Sequence, residues 1–337
     1  VALKLCIVGC GSLSKSAHGP SYRKYAAEHP EVELVACCDV DGARAEAYRE
    51  TYGFARAYTD YLDMLEDEQP DAVCLMAPVQ LTCELSCTIL SLGYPLLMEK
   101  PPGLNGEECR RMIAAAEEAG VPNQVSFNRR YCPLVAELKQ QLAAFAPEQI
   151  QDIRYDFFRI GRKDPDFSTT AIHGIDTVKF LAGSDYRHVR FSYREFPELG
   201  PGVANIFMDC EFESGATAHL NFCPNTGVLI ERATVNLLDH TFMLNVPIWA
   251  AYDTPGRLLH LHRGEAVADI AGDSVCDASQ NFIAGGFYNE NASFLDDLLA
   301  DRRPVGDIAS GLQSVEIADC IRQRLPEYRK TGAEGME

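Results

Sequence analysis

Alternation of strand and helix over the first 128 residues restricts this chain's fold more than any other feature. Short apolar runs recur there, each stopped by glycine, proline or a charged residue: LKLCIVGCG at the start, VELVACCDV over 32–40, DAVCLMAP ending at Pro78, YPLLMEK ending at Lys100, and PNQVSFNRRY over 122–131. Helical stretches separate them, over 14–29, then DGARAEAYRETYG closed by Gly53, DYLDMLEDEQP, VQLTCELSCTILSLG closed by Gly93, and NGEECRRMIAAAEEAG with Asn105 placed as its cap. Strands that read as unbroken apolar runs are covered on both faces, and helices between them do the covering. The prediction is an N-terminal Rossmann-type, doubly wound parallel sheet, in which ligands sit beyond the carboxyl ends of the strands.

After about residue 150 the rhythm changes. QDIRYDFFRI, HVRFSYREF, NIFMDCEFESGATAHLNFC and ERATVNLLDHTFMLNV follow one another with a single helical stretch, AIHGIDTVKFLAG, among them. Glu213, Ser214 and Gly215 read as a hairpin turn, so a large, mostly antiparallel sheet is expected in a C-terminal α/β domain. A chain of 337 residues exceeds most single cores. We expect a dinucleotide-binding domain over 1–123 and a substrate-binding and oligomerisation domain over 124–337, with the C-terminal helix packing back on the first.

The net charge of −19 excludes easy binding to phosphate backbones or anionic lipid, so neither nucleic acid nor a membrane is an expected partner. No apolar run of membrane-spanning length occurs. The 13 cysteines are scattered, form no CxxC pair and show no zinc spacing with histidine. They read as small hydrophobes in a reducing compartment, which points to the cytoplasm and to no metal site.

GCGSLS supplies Gly9 and Gly11, with Ser14 where a third small residue would complete the dinucleotide fingerprint. Gly9 permits the tight turn, and Gly11 lets backbone N–H groups approach a pyrophosphate at a helix N-terminus. Asp39, at the end of the second strand, is placed to accept from adenosine ribose hydroxyls. The alternative role, capping the next helix, falls equally to Asp41. Asp39 is followed by Val40 and Asp41, not by a cation, so NAD is expected rather than NADP, with Arg44 one turn away as the residue that would change this. Lys100 ends a parallel strand, where a partly desolvated amine can exchange a proton near neutrality. Cys132 has no partner that would make it a nucleophile, and His18 near the glycine turn reads as structural.

Taken together, GCGSLSKSAH, CDV, the EKP of Glu99, Lys100 and Pro101, VSFNRRYCP, AIHGIDTVKFLAG and the closing segment from Ala292 resemble, in order and over nearly the whole chain, the Gfo/Idh/MocA oxidoreductases (the glucose–fructose oxidoreductase and inositol dehydrogenase family). The resemblance implies NAD(P)-dependent chemistry on a sugar, inositol or related polyol. It implies Lys100 bonding the reacting hydroxyl, His173 as general acid/base, and a homodimer or homotetramer. It assigns Ser12, Leu13, Ala77, Pro78 and Glu99 to the cofactor beside Gly9, Gly11, Asp39 and Lys100. Thr169, Asp176 and Arg130 are the candidates for touching substrate, and Asp176, one turn from His173, either orients that ring or lies on the surface. Two positions depart from the pattern: Thr169 stands where an aspartate often precedes the histidine by four residues, with Asp166 as a substitute if its loop folds inward, and Thr82 stands where a histidine often follows Pro78. A cis peptide before Pro101 would fix the direction of the lysine. Two other functions share this pattern: a sugar-modifying enzyme in which NAD is recycled, and a non-catalytic NAD or sugar sensor.

Overall fold

The computed structural model describes residues 2–249 and 251–330. The chain divides into two compact units: residues up to Asn128 with Gly286–Val315, and Arg129–Gly285 with residues from Glu316 onward. The break after the opening α/β stretch thus falls at 128/129, and the segment Gly286–Val315 belongs to the first unit.

The first unit carries six strands: β1 (Leu3–Val8), β2 (Val32–Cys38), β3 (Arg56–Tyr58), β4 (Ala72–Leu75), β5 (Leu96–Glu99) and β6 (Asn123–Ser126). Their order in the sheet is β3-β2-β1-β4-β5-β6, with every pairing parallel. The order reverses between β1 and β4, so the carboxyl ends of β1, β2 and β4 surround the switch point. The helices start and stop where the sequence says. Asp41, Asp60 and Asn105 each accept a backbone N–H in the following turn, and Gly53 and Gly120 close their helices with φ of 84° and 67°. The core of this unit joins Leu5, Ile7, Cys37, Cys74 and Leu97 of the strands to Tyr22 and Tyr25. Phe294 and Leu295 of the late helix Phe287–Leu299 complete it.

PNQVSFNRRY is not strand throughout. β6 ends at Ser126, and Asn128–Tyr131 form a 3-10 turn that leads into helix Pro133–Leu142. Proline at 133 cannot continue a ladder but suits the first turn of a helix, which is why the extended run stops.

The second unit is built on a nine-stranded sheet. Its strands are β7 (Ile150–Phe158), β8 (Tyr186–Glu195), β9 (Ala204–Phe212), β10 (Thr217–Cys223), β11 (Ile230–Leu237), β12 (His240–Asn245), β13 (Arg257–His262), β14 (Glu265–Ala271) and β15 (Glu327–Arg329). The order is β14-β13-β12-β11-β7-β10-β9-β8-β15, and only β7 and β10 pair in parallel. Alternation sorts the two faces. Ile153, Tyr155, Phe157, Leu220 and Phe222 are wholly buried on one face, under helix Ser168–Ala182. The other face carries polar groups such as His219 and Asp209, 2.6 Å apart on β10 and β9. Among the described residues no helix is long and apolar enough to cross a membrane, and all 13 cysteines are free.

Candidate active site

The glycine turn after β1 is shaped by two different needs. Gly9 has φ of +103°, and a Cβ there would stand 2.2 Å from the Met76 carbonyl oxygen, so no other residue fits. At Gly11 a Cβ would meet nothing within 4 Å. That opening lies where the chain turns into the helical run from Ser12, at a helix N-terminus of the kind that binds phosphate groups. Ser14, in the third position of the fingerprint, is buried and donates to the Tyr48 hydroxyl at 3.0 Å, tying the turn to helix Gly42–Tyr52. Ser12 is exposed, and Leu13 is half-buried beside it.

Asp39 is buried at the end of β2, and its carboxylate points back to this turn. Oδ2 accepts from the Cys10 N–H at 2.9 Å and Oδ1 from the Asp41 N–H at 3.0 Å. Arg44 lies 3.2 Å from Oδ1 and 3.4 Å from the Asp41 carboxylate. Two carboxylates therefore hold Arg44. Two backbone N–H groups and Arg44 Nη1 together contact both Asp39 oxygens, so a ribose hydroxyl would share or displace the long Arg44 contact. The donor set fits a dinucleotide without a 2′-phosphate. Asp41 does the capping, accepting from Arg44 N–H. Ala77 and Pro78 follow β4 at the carboxyl edge of the same sheet, and Thr82 is buried with its hydroxyl turned to the Pro78 carbonyl at 3.3 Å.

At the end of β5, Glu99 explains why a glutamate precedes the lysine. Its Oε2 accepts the Lys100 N–H at 3.0 Å, and its Oε1 lies 2.9 Å from His18 Nε2. His18 is wholly buried, and its Nδ1 lies 3.3 Å from the Asn291 side-chain oxygen. It occupies a π-helical turn, Ser14–His18, where the widened helix carries the ring toward β5. Glu99 is thus a brace for the backbone of Lys100, with both oxygens turned to protein groups. Lys100 itself is half-buried, and the Lys100–Pro101 peptide is cis, as expected.

In the second unit, His173 lies one turn into helix Ser168–Ala182 and is 8% exposed. Thr169, four residues earlier, shares its face. Asp166 does not turn toward them: its Oδ1 accepts the Ser168 N–H at 2.9 Å and caps the helix start. Asp176 is buried rather than on the surface, and Arg130 grips it from the 3-10 turn, Nε to Oδ2 at 2.8 Å and Nη2 to Oδ1 at 2.5 Å. Two of the three substrate candidates are therefore bound to each other. Cys132 is buried, its thiol 3.0 Å from the Ala284 carbonyl and pushed up to about 12 by burial, as befits an inert side chain.

Beside His173 the structure assembles a cluster that the sequence did not reveal. Glu231 on β11 is wholly buried and receives Arg129 Nη2 at 2.8 Å, the Tyr155 hydroxyl at 3.0 Å, and Arg159. Burial pushes its carboxyl up, but Arg129 and Arg159 outweigh that and hold it down at about 2. Burial also works against both guanidinium charges; Glu231 more than offsets this at Arg129 and falls short at Arg159. The Arg159 guanidinium in turn stacks 3.6 Å from the Phe157 ring centre. Arg129 Nη1 reaches His173 Nε2 at 3.5 Å. These residues stand on four separate segments, and each alone reads as an ordinary strand or turn residue, so no local signal could have grouped them.

Comparison with known proteins bears on these features. Residues 3–127 match the model of the GFO_IDH_MocA oxidoreductase family, described as an NAD-binding Rossmann fold. The chain is 28% identical over 201 residues to an inositol 2-dehydrogenase of Salmonella typhimurium, covering 56% of this chain and 57% of that one. It is 28% identical, again over 201 residues, to a scyllo-inositol 2-dehydrogenase (NAD(+)) of Bacillus subtilis, covering 56% and 58%. The chain thus spans little more than half the length of these relatives. The crystal structure of a Gfo/Idh/MocA family oxidoreductase from Vibrio cholerae superposes with a TM-score of 0.79 over 96% of this chain and 98% of that one, at 21% identity, which shows a shared fold.

Proposed function

We propose, from the match of residues 3–127 to the NAD-binding Rossmann model of the Gfo/Idh/MocA oxidoreductases, that this chain oxidises a secondary hydroxyl of a sugar, inositol or related polyol. The observation that carries the reading is Lys100 at the carboxyl end of β5, its backbone clamped by Glu99, in a sheet whose glycine turn is open where a pyrophosphate would lie. The inositol dehydrogenases among the relatives support a polyol substrate. The pairing of Arg44 with Asp39 and Asp41 supports NAD over NADP.

Gly9, Gly11, Ser12 and Leu13 would hold the pyrophosphate, Asp39 the adenosine ribose, and Ala77 and Pro78 the edge of the cofactor beyond β4. Bound NAD supplies the nicotinamide ring that accepts a hydride from the substrate carbon. In this reading the Lys100 ammonium donates to the reacting hydroxyl oxygen and stabilises the negative charge that develops there. His173 takes the hydroxyl proton, and Thr169 offers a hydroxyl to the substrate from the same helix face. Asp176 and Arg130 contribute through the rigid pair they form. Free thiols throughout support a reducing cytoplasmic setting, and the family resemblance supports a homodimer or homotetramer.

The test is the growth of 340 nm absorbance when the chain meets NAD and a panel of inositols and aldoses. Lys100→Ala should abolish turnover and leave NAD binding intact. Product without accumulating NADH would indicate recycled cofactor. NAD binding with no product from any sugar would sink the dehydrogenase reading in favour of a sensor.

A further inference from the structure

We infer that Glu231 is a positioning residue for His173, acting through Arg129. Arginine has five donors and no acceptor. The only polar contact that Arg129 Nη1 can make with His173 Nε2, 3.5 Å away, has the imidazole nitrogen accepting. An imidazole that accepts at Nε2 carries its proton on Nδ1, whereas free imidazole side chains favour the opposite tautomer. A neutral ring with its proton on Nε2 would set donor against donor, and an imidazolium would in addition bring a third positive group to Arg129 and Arg159.

Arg129 holds this place because of Glu231. Arg129 is 4% exposed, and Glu231 takes its Nη2 at 2.8 Å and its Nε at 3.3 Å. Glu231 is fixed in turn by the Tyr155 hydroxyl and Arg159. A contact of 3.5 Å is at the long limit of a hydrogen bond, so a substrate hydroxyl can displace it and meet the lone pair that Arg129 has kept unprotonated. Tyr155 and Glu231 face the ring's neighbourhood from the sheet, Arg129 from the 3-10 turn and Arg159 from the end of β7. On the helix itself Asp176 is already neutralised by Arg130. The inference rests on the proposed acid/base role of His173 for its meaning, not for its test.

The full-length protein, labelled with 15N at histidine and free of NAD and sugar, is examined by two-bond 1H–15N correlation at about pH 8.5, above the ordinary imidazole range, with His173 assigned through His173→Asn. The expected result is a proton on Nδ1 and a bare Nε2. Arg129→Gln and Glu231→Gln should each move His173 toward the Nε2–H tautomer. Arg159→Gln, which removes the other cation on Glu231 but touches His173 nowhere, should not. Arg129→Lys keeps the charge and loses the planar fork, and it serves if the neutral variant does not fold; it should shift the tautomer likewise. In turnover, Arg129→Gln and Glu231→Gln should lower kcat by about 10- to 100-fold, the range seen when partners that orient an imidazole are lost, with KM little changed. A wild-type proton on Nε2, an unmoved tautomer in Glu231→Gln, or an equal shift in Arg159→Gln overturns the inference. Because the spectra need neither cofactor nor substrate, a chain that oxidises no sugar would still give a decisive answer here.

Discussion

At the scale of single residues, Gly9 and Gly11 look alike in the sequence and differ in what forbids a side chain. Gly9 is required by the fold: its backbone is left-handed and its Cβ position is filled by the Met76 carbonyl. Gly11 has room for a methyl group in the protein alone, so only a ligand would object. Gly11→Ala should therefore keep stability within about 0.5 kcal/mol, as surface changes do, and weaken NAD binding at least tenfold. Gly9→Ala should lower both. Thermal denaturation and calorimetric titration with NAD separate the two, and a Gly11→Ala protein that binds NAD normally would remove the turn from the site. Asp39 and Asp41 are resolved at the same scale. Asp39 was eligible as ribose acceptor or helix cap, with Asp41 competing for the cap, and the backbone gives the cap to Asp41 and turns Asp39 to the glycine turn.

At the scale of elements, the helix Ser168–Ala182 carries His173 and lies directly on the sheet. Gly174 makes this approach possible. A Cβ there would stand 2.7 Å from Phe222 Cε1 and 3.2 Å from Tyr155 Cε1, both buried rings. Gly174→Ala gains about 1 kcal/mol of helix propensity and loses about 1–3 kcal/mol to crowding. Crowding should win, since neither ring has space to move. The expected outcome is a protein destabilised by up to about 2 kcal/mol in urea, with the helix lifted and kcat reduced because Tyr155 also anchors Glu231. A more stable, fully active Gly174→Ala protein would show that the helix does not sit this close. The elements themselves were largely legible, because each Rossmann strand is a short apolar run with a stop residue and each helix has its cap. The strand expected over 122–131 stops at Ser126, since strand propensity says nothing of a proline that opens the next helix.

At the scale of the whole molecule, the chain leaves the first unit at Asn128 and returns to it over Gly286–Val315. Helix Phe287–Leu299 supplies core residues to a sheet whose last strand ends at Ser126, and Asn291 reaches His18. The second unit is held in part by an ionic centre, and its behaviour in acid follows from Glu231. A carboxyl held at about 2 against an ordinary 4.5 contributes stability that is complete above about pH 4.5 and lost as pH falls toward 2. Glu231→Gln should cost about 3–5 kcal/mol at neutral pH, because two buried guanidinium groups lose their anion, and should flatten the fall in stability over that acid window. Urea unfolding from pH 7 to pH 3 measures both, and a variant as steeply acid-sensitive as the parent would mean that other carboxylates dominate. The sequence by itself determined the alternation of strand and helix, the glycine turn, the acid at the end of β2 and the lysine at the end of β5, since each is written in contiguous residues with a local physical meaning. Folding alone settled that Glu99 braces the Lys100 backbone while His18 holds its other oxygen, that Arg130 occupies Asp176, and that Glu231 gathers Arg129, Arg159 and Tyr155 beside His173. Charge pairing in a buried setting depends on which side chains the folded backbone brings within about 3 Å, and distance along the chain carries no record of that.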